Sequence, residues 1–181
     1  MNPGNFDDEL QHANVSPDEE ELSVPADLAE YTLEGKWEKV IELYNQFPAC
    51  HTAMVNESMG TALHVAVDLD EEGVVEELVK AIIRHKQQSV KKKKKKKMEA
   101  LEMGNERGDT PLHVAASRGF VNICKWIIGT NSERMYLGSQ RNKHGETPLF
   151  QAAINWKKHA FAYLSNISNN TVTLQDLVRD N

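Results

Sequence analysis

The clearest pattern in the chain is an order of polar and apolar positions that occurs three times in the same register. Residues 56–66, 105–115 and 142–152 align without gaps, each running from a polar turn into a short apolar stretch. In each copy an Asn stands five residues before a Thr, and a Leu follows two residues after that Thr. Self-similarity of this kind is typical of arrays in which one supersecondary unit is stacked repeatedly.

The second copy predicts its own local structure. Thr110 is a suitable N-cap, because its hydroxyl can accept a hydrogen bond from an unpaired backbone N–H of the first helical turn. Pro111 then occupies the first helical position, where its missing N–H has no cost. Leu112 and Ala115 face the same side of this helix, and Gly119 ends it in a left-handed conformation. A second helix follows, with its buried side formed by Val121, Ile123, Cys124, Trp126 and Ile127.

Each unit is therefore a helix, a turn, a second helix and a return loop. This predicts an all-α solenoid of helix-turn-helix units joined by hairpin-like turns. A degenerate first unit is expected at about 25–55, with helices over 25–35 and 36–44, followed by units at about 56–104, 105–141 and 142–181. Residues 178–181 look like the start of another turn, so we expect the chain to be part of a longer protein.

The repeated motif resembles the ankyrin repeat, whose signature is Thr-Pro-Leu-His-x-Ala in a unit of 33 residues. Residues 110–115 match this signature throughout. The spacing from Thr61 to Thr110 is 49 residues, and that from Thr110 to Thr147 is 37. Four positions depart from the motif: Met59 replaces the turn Gly, Ala62 the Pro, Phe150 the His, and Trp156 the Gly that ends the first helix.

Charge is unevenly distributed along this chain, whose net charge is −6. Residues 1–34 contain ten acids and neither Lys nor Arg. Because residues 1–24 also have few large apolar side chains, we interpret them as a disordered acidic tail. The excess spacing before the third unit is an insertion at 86–98. It holds seven consecutive lysines: Lys91, Lys92, Lys93, Lys94, Lys95, Lys96 and Lys97.

Three interpretations of this lysine run stay open. Consecutive like charges repel one another and favour a solvated loop. A basic run can also direct nuclear import or bind nucleic acid, although no aromatic residue interrupts it to stack on bases. The third interpretation is contact with an anionic membrane surface.

Three stretches indicate a particular group within the ankyrin proteins, namely residues 34–39, 60–67 and 142–153. They are similar to plant ankyrin proteins that carry a C-terminal membrane region with a Pro-Gly-Gly motif, and the resemblance covers about residues 25–181. It implies that the array lies in the cytoplasm or at the cytoplasmic face of a membrane. It also implies a signalling role, because members of that group act in defence, cell death and salt stress.

No enzyme motif accompanies the repeats. The chain contains neither a Gly-x-Ser-x-Gly nucleophile elbow nor either Gly-rich phosphate-binding loop. We expect His64 and His113 to make ring-to-backbone hydrogen bonds, and the other histidines lack the spacing of metal ligands. Cys124 is expected to be a core thiol. Trp37, Trp126 and Trp156 are expected to pack between units. The sequence thus predicts no catalytic site, no cofactor and no metal.

An array of this kind presents its turn tips and first helices along one concave face. Motif positions hold the fold, so the residues between them are candidates for contact with a partner. The candidate protein-binding residues are Arg107, Asp109, Val114, Arg118, Lys143, His144, Glu146, Gln151 and Asn155.

These observations predict a non-catalytic protein–protein interaction module. Its partner is a protein of unspecified identity, with an anionic membrane surface as a further contact, and no sequence-specific nucleic acid is expected. The alternative is a soluble truncated adaptor that uses Lys91–Lys97 for nuclear import or polyanion binding.

Overall fold

The structure is a computed structural model that describes residues 26–89, 99–129 and 131–179. The predicted acidic tail and the run Lys91–Lys97 lie outside the described residues. Within them the α-helices are α1 (Leu28–Leu33), α2 (Trp37–Gln46), α3 (Ala62–Asp68), α4 (Glu72–Ser89), α5 (Pro111–Arg118), α6 (Val121–Ile128), α7 (Pro148–Ile154) and α8 (Lys158–Arg179). Short 3₁₀ turns at Pro48–Thr52, Ala100–Glu102 and Met135–Ser139 precede the last three predicted turns.

Consecutive helices form pairs, which we call unit 1 (α1, α2), unit 2 (α3, α4), unit 3 (α5, α6) and unit 4 (α7, α8). The first helices of successive units contact one another in one row, and the second helices contact one another in a second row. This confirms the predicted all-α solenoid. The described strands are β1 (Met54–Asn56) and β2 (Gly60–Thr61), an antiparallel pair with an irregular register that leads into unit 2.

The first helix of every unit ends at a residue in the left-handed region. These residues are equivalent by position: Gly35 (φ +69°), Asp70 (φ +61°), Gly119 (φ +87°) and Trp156 (φ +58°). The prediction for Gly119 is confirmed, since it adopts φ +87° and ψ +18° at the end of α5. One backbone turn is therefore kept in four units although its residue type changes.

Small residues let the first helices approach. The Ala of the motif recurs as Ala66, Ala115 and Ala152, and each is completely buried. Leu63 and Leu112 lie beside it and are also completely buried, which confirms the predicted buried face of the first helix. Leu149 in unit 4 is only partly buried against the core.

Two helices are longer than predicted. Helix α4 continues to Ser89 rather than ending near His85, and its last turns bind α2. The Arg84 guanidinium donates to Asn45 Oδ1 at 2.6 Å, and His85 Nε2 lies 2.9 Å from the Asn45 carbonyl oxygen. Helix α8 continues to Arg179, so Val178 and Arg179 are helical where a turn was expected to begin. No Gly or Pro occurs after residue 148 to end α8, whereas α6 ends at Gly129.

The predicted packing of the tryptophans is wrong for one of the three. Trp37 and Trp126 are partly buried against the core. Trp156 is instead 86% exposed. Its left-handed backbone sits in the turn between α7 and α8, which directs the indole outward rather than between units.

Candidate protein-binding surface

The turn tips of units 3 and 4 are each organised by one Asn side chain. Asn105 Oδ1 accepts hydrogen bonds from the backbone N–H groups of Arg107 (3.0 Å) and Asp109 (3.1 Å). Asn142 makes the equivalent pair of bonds one unit later, at 3.0 and 2.9 Å. The Asn found five residues before each Thr thus shapes the tip, a role that sequence analysis could have inferred from its regular spacing.

Backbone hydrogen bonds join neighbouring tips. The Glu106 N–H donates to the Glu57 carbonyl at 2.8 Å, and the Lys143 N–H donates to the Arg107 carbonyl at 3.0 Å. Gly108 makes the second contact feasible, because a Cβ at this position would lie 2.8 Å from the Lys143 nitrogen. The exposed side chains at the tips are therefore presented in a fixed register.

The tip of unit 2 differs in detail. Met59 stands where units 3 and 4 have a Gly, and the left-handed residue is displaced to Gly60, with φ +84°. The Met59 N–H is held by Asn56 Oδ1 at 2.8 Å. The departure seen in the sequence is thus absorbed by a shift of one residue in the turn.

Two buried histidines make the predicted ring-to-backbone hydrogen bonds, and these bonds also link successive units. His113 Nδ1 accepts the Thr110 N–H at 3.1 Å, so Nε2 carries the ring proton and donates to the Glu146 carbonyl of unit 4 at 3.0 Å. His64 makes the same bonds to Thr61 and to the Asp109 carbonyl, at 3.1 and 3.0 Å. Burial lowers the pKa of His64 to about 4 and also lowers that of His113. Both rings therefore stay neutral at physiological pH.

A hydrogen-bonded cluster lies below the tips of units 3 and 4. Asn142 Nδ2 donates to Asp109 Oδ1 at 2.7 Å and to Glu146 Oε2 at 2.9 Å. Gln151 Nε2 donates to the same Glu146 oxygen at 2.7 Å. The hydrogen bond from Asn142 lowers the pKa of Glu146, so its carboxylate is retained as an acceptor.

Comparison with known proteins assigns the family. Residues 77–176, more than half of the chain, match the family model described as ankyrin repeats in three copies. The chain belongs to the ankyrin-repeat family. No curated protein matches it. One chain of the crystal structure of the yeast ribosomal protein Rps3 in complex with its chaperone Yar1 is similar, with a TM-score of 0.57 and 19% sequence identity over 75% of this chain and 87% of that chain. At that identity the similarity shows the fold alone.

The ankyrin array divides the sequence-predicted binding residues into four groups, of which three are exposed or partly buried outside the hydrogen-bonded cluster. Arg107, Lys143 and His144 are exposed at the tips. Val114 is partly buried in the middle of α5. Arg118 and Asn155 are exposed at the opposite end of the first helices.

The remaining three candidates belong to the cluster below the tips. Asp109 and Glu146 are partly exposed and already hold hydrogen bonds, and Arg107 Nε lies 3.3 Å from Asp109 Oδ2. Gln151 corrects the sequence analysis, because it is only 4% exposed. Its amide is committed to Glu146, so it supports the ankyrin tip instead of reaching a partner.

Other chemistry in the described ankyrin units is structural. Cys50 and Cys124 are buried thiols, and burial raises the pKa of Cys124 to about 12, as expected for a core cysteine. Within residues 26–89, 99–129 and 131–179, no group of three or more His, Cys, Asp or Glu side chains is arranged to hold a metal ion. Over the same ranges no helix combines the length and apolar character needed to cross a bilayer.

Ankyrin repeats are protein–protein interaction modules, and that is the function the family assigns to this chain. The comparisons indicate no enzyme family.

Proposed function

We propose that a protein partner docks on the tip face, formed by Arg107, Lys143, His144 and the adjoining Val114. The observation that carries this proposal is the hydrogen bond between the Lys143 N–H and the Arg107 carbonyl, which ties the tips of units 3 and 4 together at 3.0 Å. A surface that is already ordered loses little conformational entropy on binding. Below the tips, Asp109 and Glu146 are held in the hydrogen-bonded cluster and stiffen their support.

Charge reversal at the tips tests the docking face. We expect the double variant Arg107→Glu, Lys143→Glu to recover at least one specific partner roughly tenfold less efficiently than the wild type. Each side chain is exposed, and each substitution replaces a cation with an anion. Affinity purification with quantified recovery would compare this variant with the wild type. The matched control is Lys39→Glu with Lys125→Glu, which makes the same charge change on exposed residues of α2 and α6. Recovery of the same partners by both variants, with unfolding temperatures unchanged, would contradict the tip face.

The biological setting we propose is the cytoplasmic arm of a membrane-associated plant protein of defence or stress signalling. Support comes from the similarity of residues 34–39, 60–67 and 142–153 to that group. We also propose that the boundary between the acidic tail and the array lies near residue 25. The first helix of the array, α1, begins at Leu28. Sequencing the transcript beyond the Asn181 codon tests it. Apolar stretches of at least about 18 residues are expected there, and a stop codon at that point would overturn the membrane arm.

The alternative function is an adaptor that uses Lys91–Lys97 for nuclear import or polyanion binding. The specific observation in its favour is a clamp at the base of the insertion. Glu99 Oε2 accepts from Lys86 Nζ and from the Tyr136 hydroxyl, each at 2.8 Å, so the two ends of the insertion are tied to each other and to unit 3. Replacing the seven lysines with Ser and Gln should abolish nuclear accumulation and heparin binding. Unchanged localisation and unchanged heparin binding would exclude the alternative.

A further inference from the structure

A second surface lies away from the tip face. A cleft of about 280 Å³ opens where the first helices turn into the second helices of units 3 and 4. We call it the Trp156 cleft; it is lined by Arg118, Gly119, Trp156, Lys157, Lys158 and His159. Because the tips adjoin the opposite ends of α5 and α7, an eight-residue helix of about 12 Å separates the two surfaces.

Neither packing nor backbone geometry favours a Trp at position 156. Its 86% exposure is the highest among the exposed large hydrophobic residues of the described chain, the next being 58%. It adopts φ +58° at the position that Gly35 and Gly119 occupy in units 1 and 3. A bulky side chain in the left-handed region is strained, and such strain concentrates at functional sites. The indole is therefore displayed to solvent at a cost to stability.

The cations of the cleft are positioned by the fold. A Cβ at Gly119 would lie 3.0 Å from Lys157 Cδ, so the absence of a side chain there leaves room for the Lys157 stem to lie across the turn. Lys157 is accordingly only partly exposed and lines the cleft. Lys158 is the first residue of α8, whose N-terminal partial positive charge adds to that of the lysine.

The positive charge of Arg118 in the Trp156 cleft is neutralised locally, whereas that of Lys157 and Lys158 is not. Arg118 is fixed by Asp68, whose Oδ1 lies 2.8 Å from Nε and 2.6 Å from Nη2. Lys157 and Lys158 make no ion pair within the described ranges, and no carboxylate lines the cleft. The equivalent rim of unit 2 has the opposite character, with the acids Asp68, Asp70, Glu71 and Glu72. An anionic ligand is thus attracted to units 3 and 4 and repelled from unit 2.

We propose that the Trp156 cleft binds a short acidic peptide segment of a partner protein. Carboxylates of the peptide pair with Lys157 and Lys158, and an aromatic side chain stacks on the indole of Trp156. The limited size of the cleft and the acidic rim one unit away favour a short peptide over a long polyanion such as RNA or a membrane surface. This site goes beyond the tip face, since it lies at the other end of the first helices.

Fluorescence anisotropy with a defined probe tests the proposal. The probe is a fluorescein-labelled peptide of Asp and Glu with one central Tyr, titrated with the full chain at about 0.15 M NaCl. A parallel titration uses the full chain with Lys91–Lys97 replaced by Ser and Gln, so that the lysine run contributes nothing. We expect both proteins to bind, with affinities within about threefold of each other.

Substitutions then assign the binding to the cleft. Trp156→Gly removes the ring and restores the residue found in units 1 and 3, and it should weaken binding at least about tenfold. Lys157→Gln with Lys158→Gln should do the same. Trp156→Phe keeps an aromatic ring and should stay within about threefold of the wild type. The matched control is Lys39→Gln with Lys80→Gln, which removes two exposed lysines of α2 and α4 and should have less than about a twofold effect.

Several outcomes would overturn the proposal. One is a Trp156→Gly protein that melts normally and binds the probe as tightly as the wild type. Another is loss of binding on replacing Lys91–Lys97, which would make the lysine run the site. Tighter binding of oligouridylate or of phosphatidylserine vesicles with the same dependence on Trp156 would reject the peptide assignment. None of these results bears on the tip face, because Arg107 and Lys143 are intact in every variant.

Discussion

Units 3 and 4 share one backbone design but differ in how completely the motif fills it. Thr110 and Thr147 both precede a Pro and begin α5 and α7, and both helices end in a left-handed residue. At three equivalent positions the side chains differ: His113 against Phe150, Gly119 against Trp156, and Cys124 against Phe161. Cys124 is completely buried whereas Phe161 is 43% exposed. The turn, the cap and the small interface residues are therefore enough to determine the backbone of a unit. The side chains at the remaining positions can vary and can serve functions other than folding.

The largest predicted effect concerns the buried Leu of each unit. Leu112→Ala should reduce the free energy of unfolding by about 2–5 kcal/mol, because this side chain is completely buried between neighbouring units. Leu149→Ala, at the equivalent but partly buried position, should cost less than about 2 kcal/mol. Urea denaturation of the two variants measures the contrast. Equal losses would mean that unit 4 is packed as tightly as unit 3.

Replacing His113 with Phe, the residue type that unit 4 has at the equivalent position Phe150, tests the link between units. His113→Phe leaves the Thr110 N–H and the Glu146 carbonyl without their ring partners, so it should cost about 1–3 kcal/mol at pH 7. It should also flatten the acid side of the stability profile. A His whose folded-state pKa lies below its unfolded value binds fewer protons when folded, so wild-type stability falls as the pH drops below about 6.5. For His64 the decline continues to about pH 4.

The control for this experiment is His144→Phe, at an exposed tip position outside the buried link. Thermal unfolding of the three proteins between pH 7 and about pH 4 gives the comparison. A His113→Phe profile parallel to that of the wild type would show that the neutral ring is not what the fold requires.

Two turn glycines provide a matched pair for the tip contacts. Gly108 and Gly145 have φ of +76° and +79°, but a Cβ at Gly108 meets the Lys143 nitrogen at 2.8 Å while one at Gly145 meets nothing within 4 Å. Gly145→Ala should therefore cost only the left-handed strain, about 1–2 kcal/mol. Gly108→Ala should cost more, because the bonded tips must also move apart. If differential scanning calorimetry gave Gly108→Ala and Gly145→Ala equal losses of stability, the tips would not be tightly joined.

The smallest expected effect is a gain. Trp156→Gly should raise the free energy of unfolding by up to about 1 kcal/mol, because relief of left-handed strain exceeds the added entropy of the unfolded chain. Gly119→Ala adds a side chain to the equivalent glycine one unit earlier. It should lower the free energy of unfolding by about 1–2 kcal/mol, since the new Cβ crowds Lys157. Chemical denaturation resolves both. A loss of stability in Trp156→Gly would mean that the indole is a packing residue after all.

The sequence was sufficient for everything that repeats. The helix order, the Thr110 cap, the left-handed Gly119 and the hydrogen bond from the Thr110 N–H to His113 Nδ1 all follow from local chemistry applied to a recurring motif. These features depend on residues within about ten positions of one another, so the pattern carries them.

The surroundings of individual side chains could not be predicted in this way, even where the partners lie in the same unit. Gln151 lies on the first helix at a position that looked accessible, yet it is buried because Glu146 and Asn142 draw its amide into the cluster. Trp156 is expected from its repeat position to pack between units, as Trp37 and Trp126 do, but the turn directs its indole outward. In both cases the position of the side chain is decided by three-dimensional surroundings that the spacing of the motif does not encode.

The clamp at Glu99 has a consequence for engineering and evolution of this chain. Since Lys86 and Glu99 hold the two ends of the connection together, and Tyr136 binds the same carboxylate, its length is uncoupled from the stacking of units 2 and 3. Each doubling of a flexible connection adds only about 0.6 kcal/mol of closure entropy. The site between α4 and unit 3 is thus a natural graft point, where an epitope, a reporter peptide or a small domain can be exchanged for the lysines while the solenoid behind it stays the same.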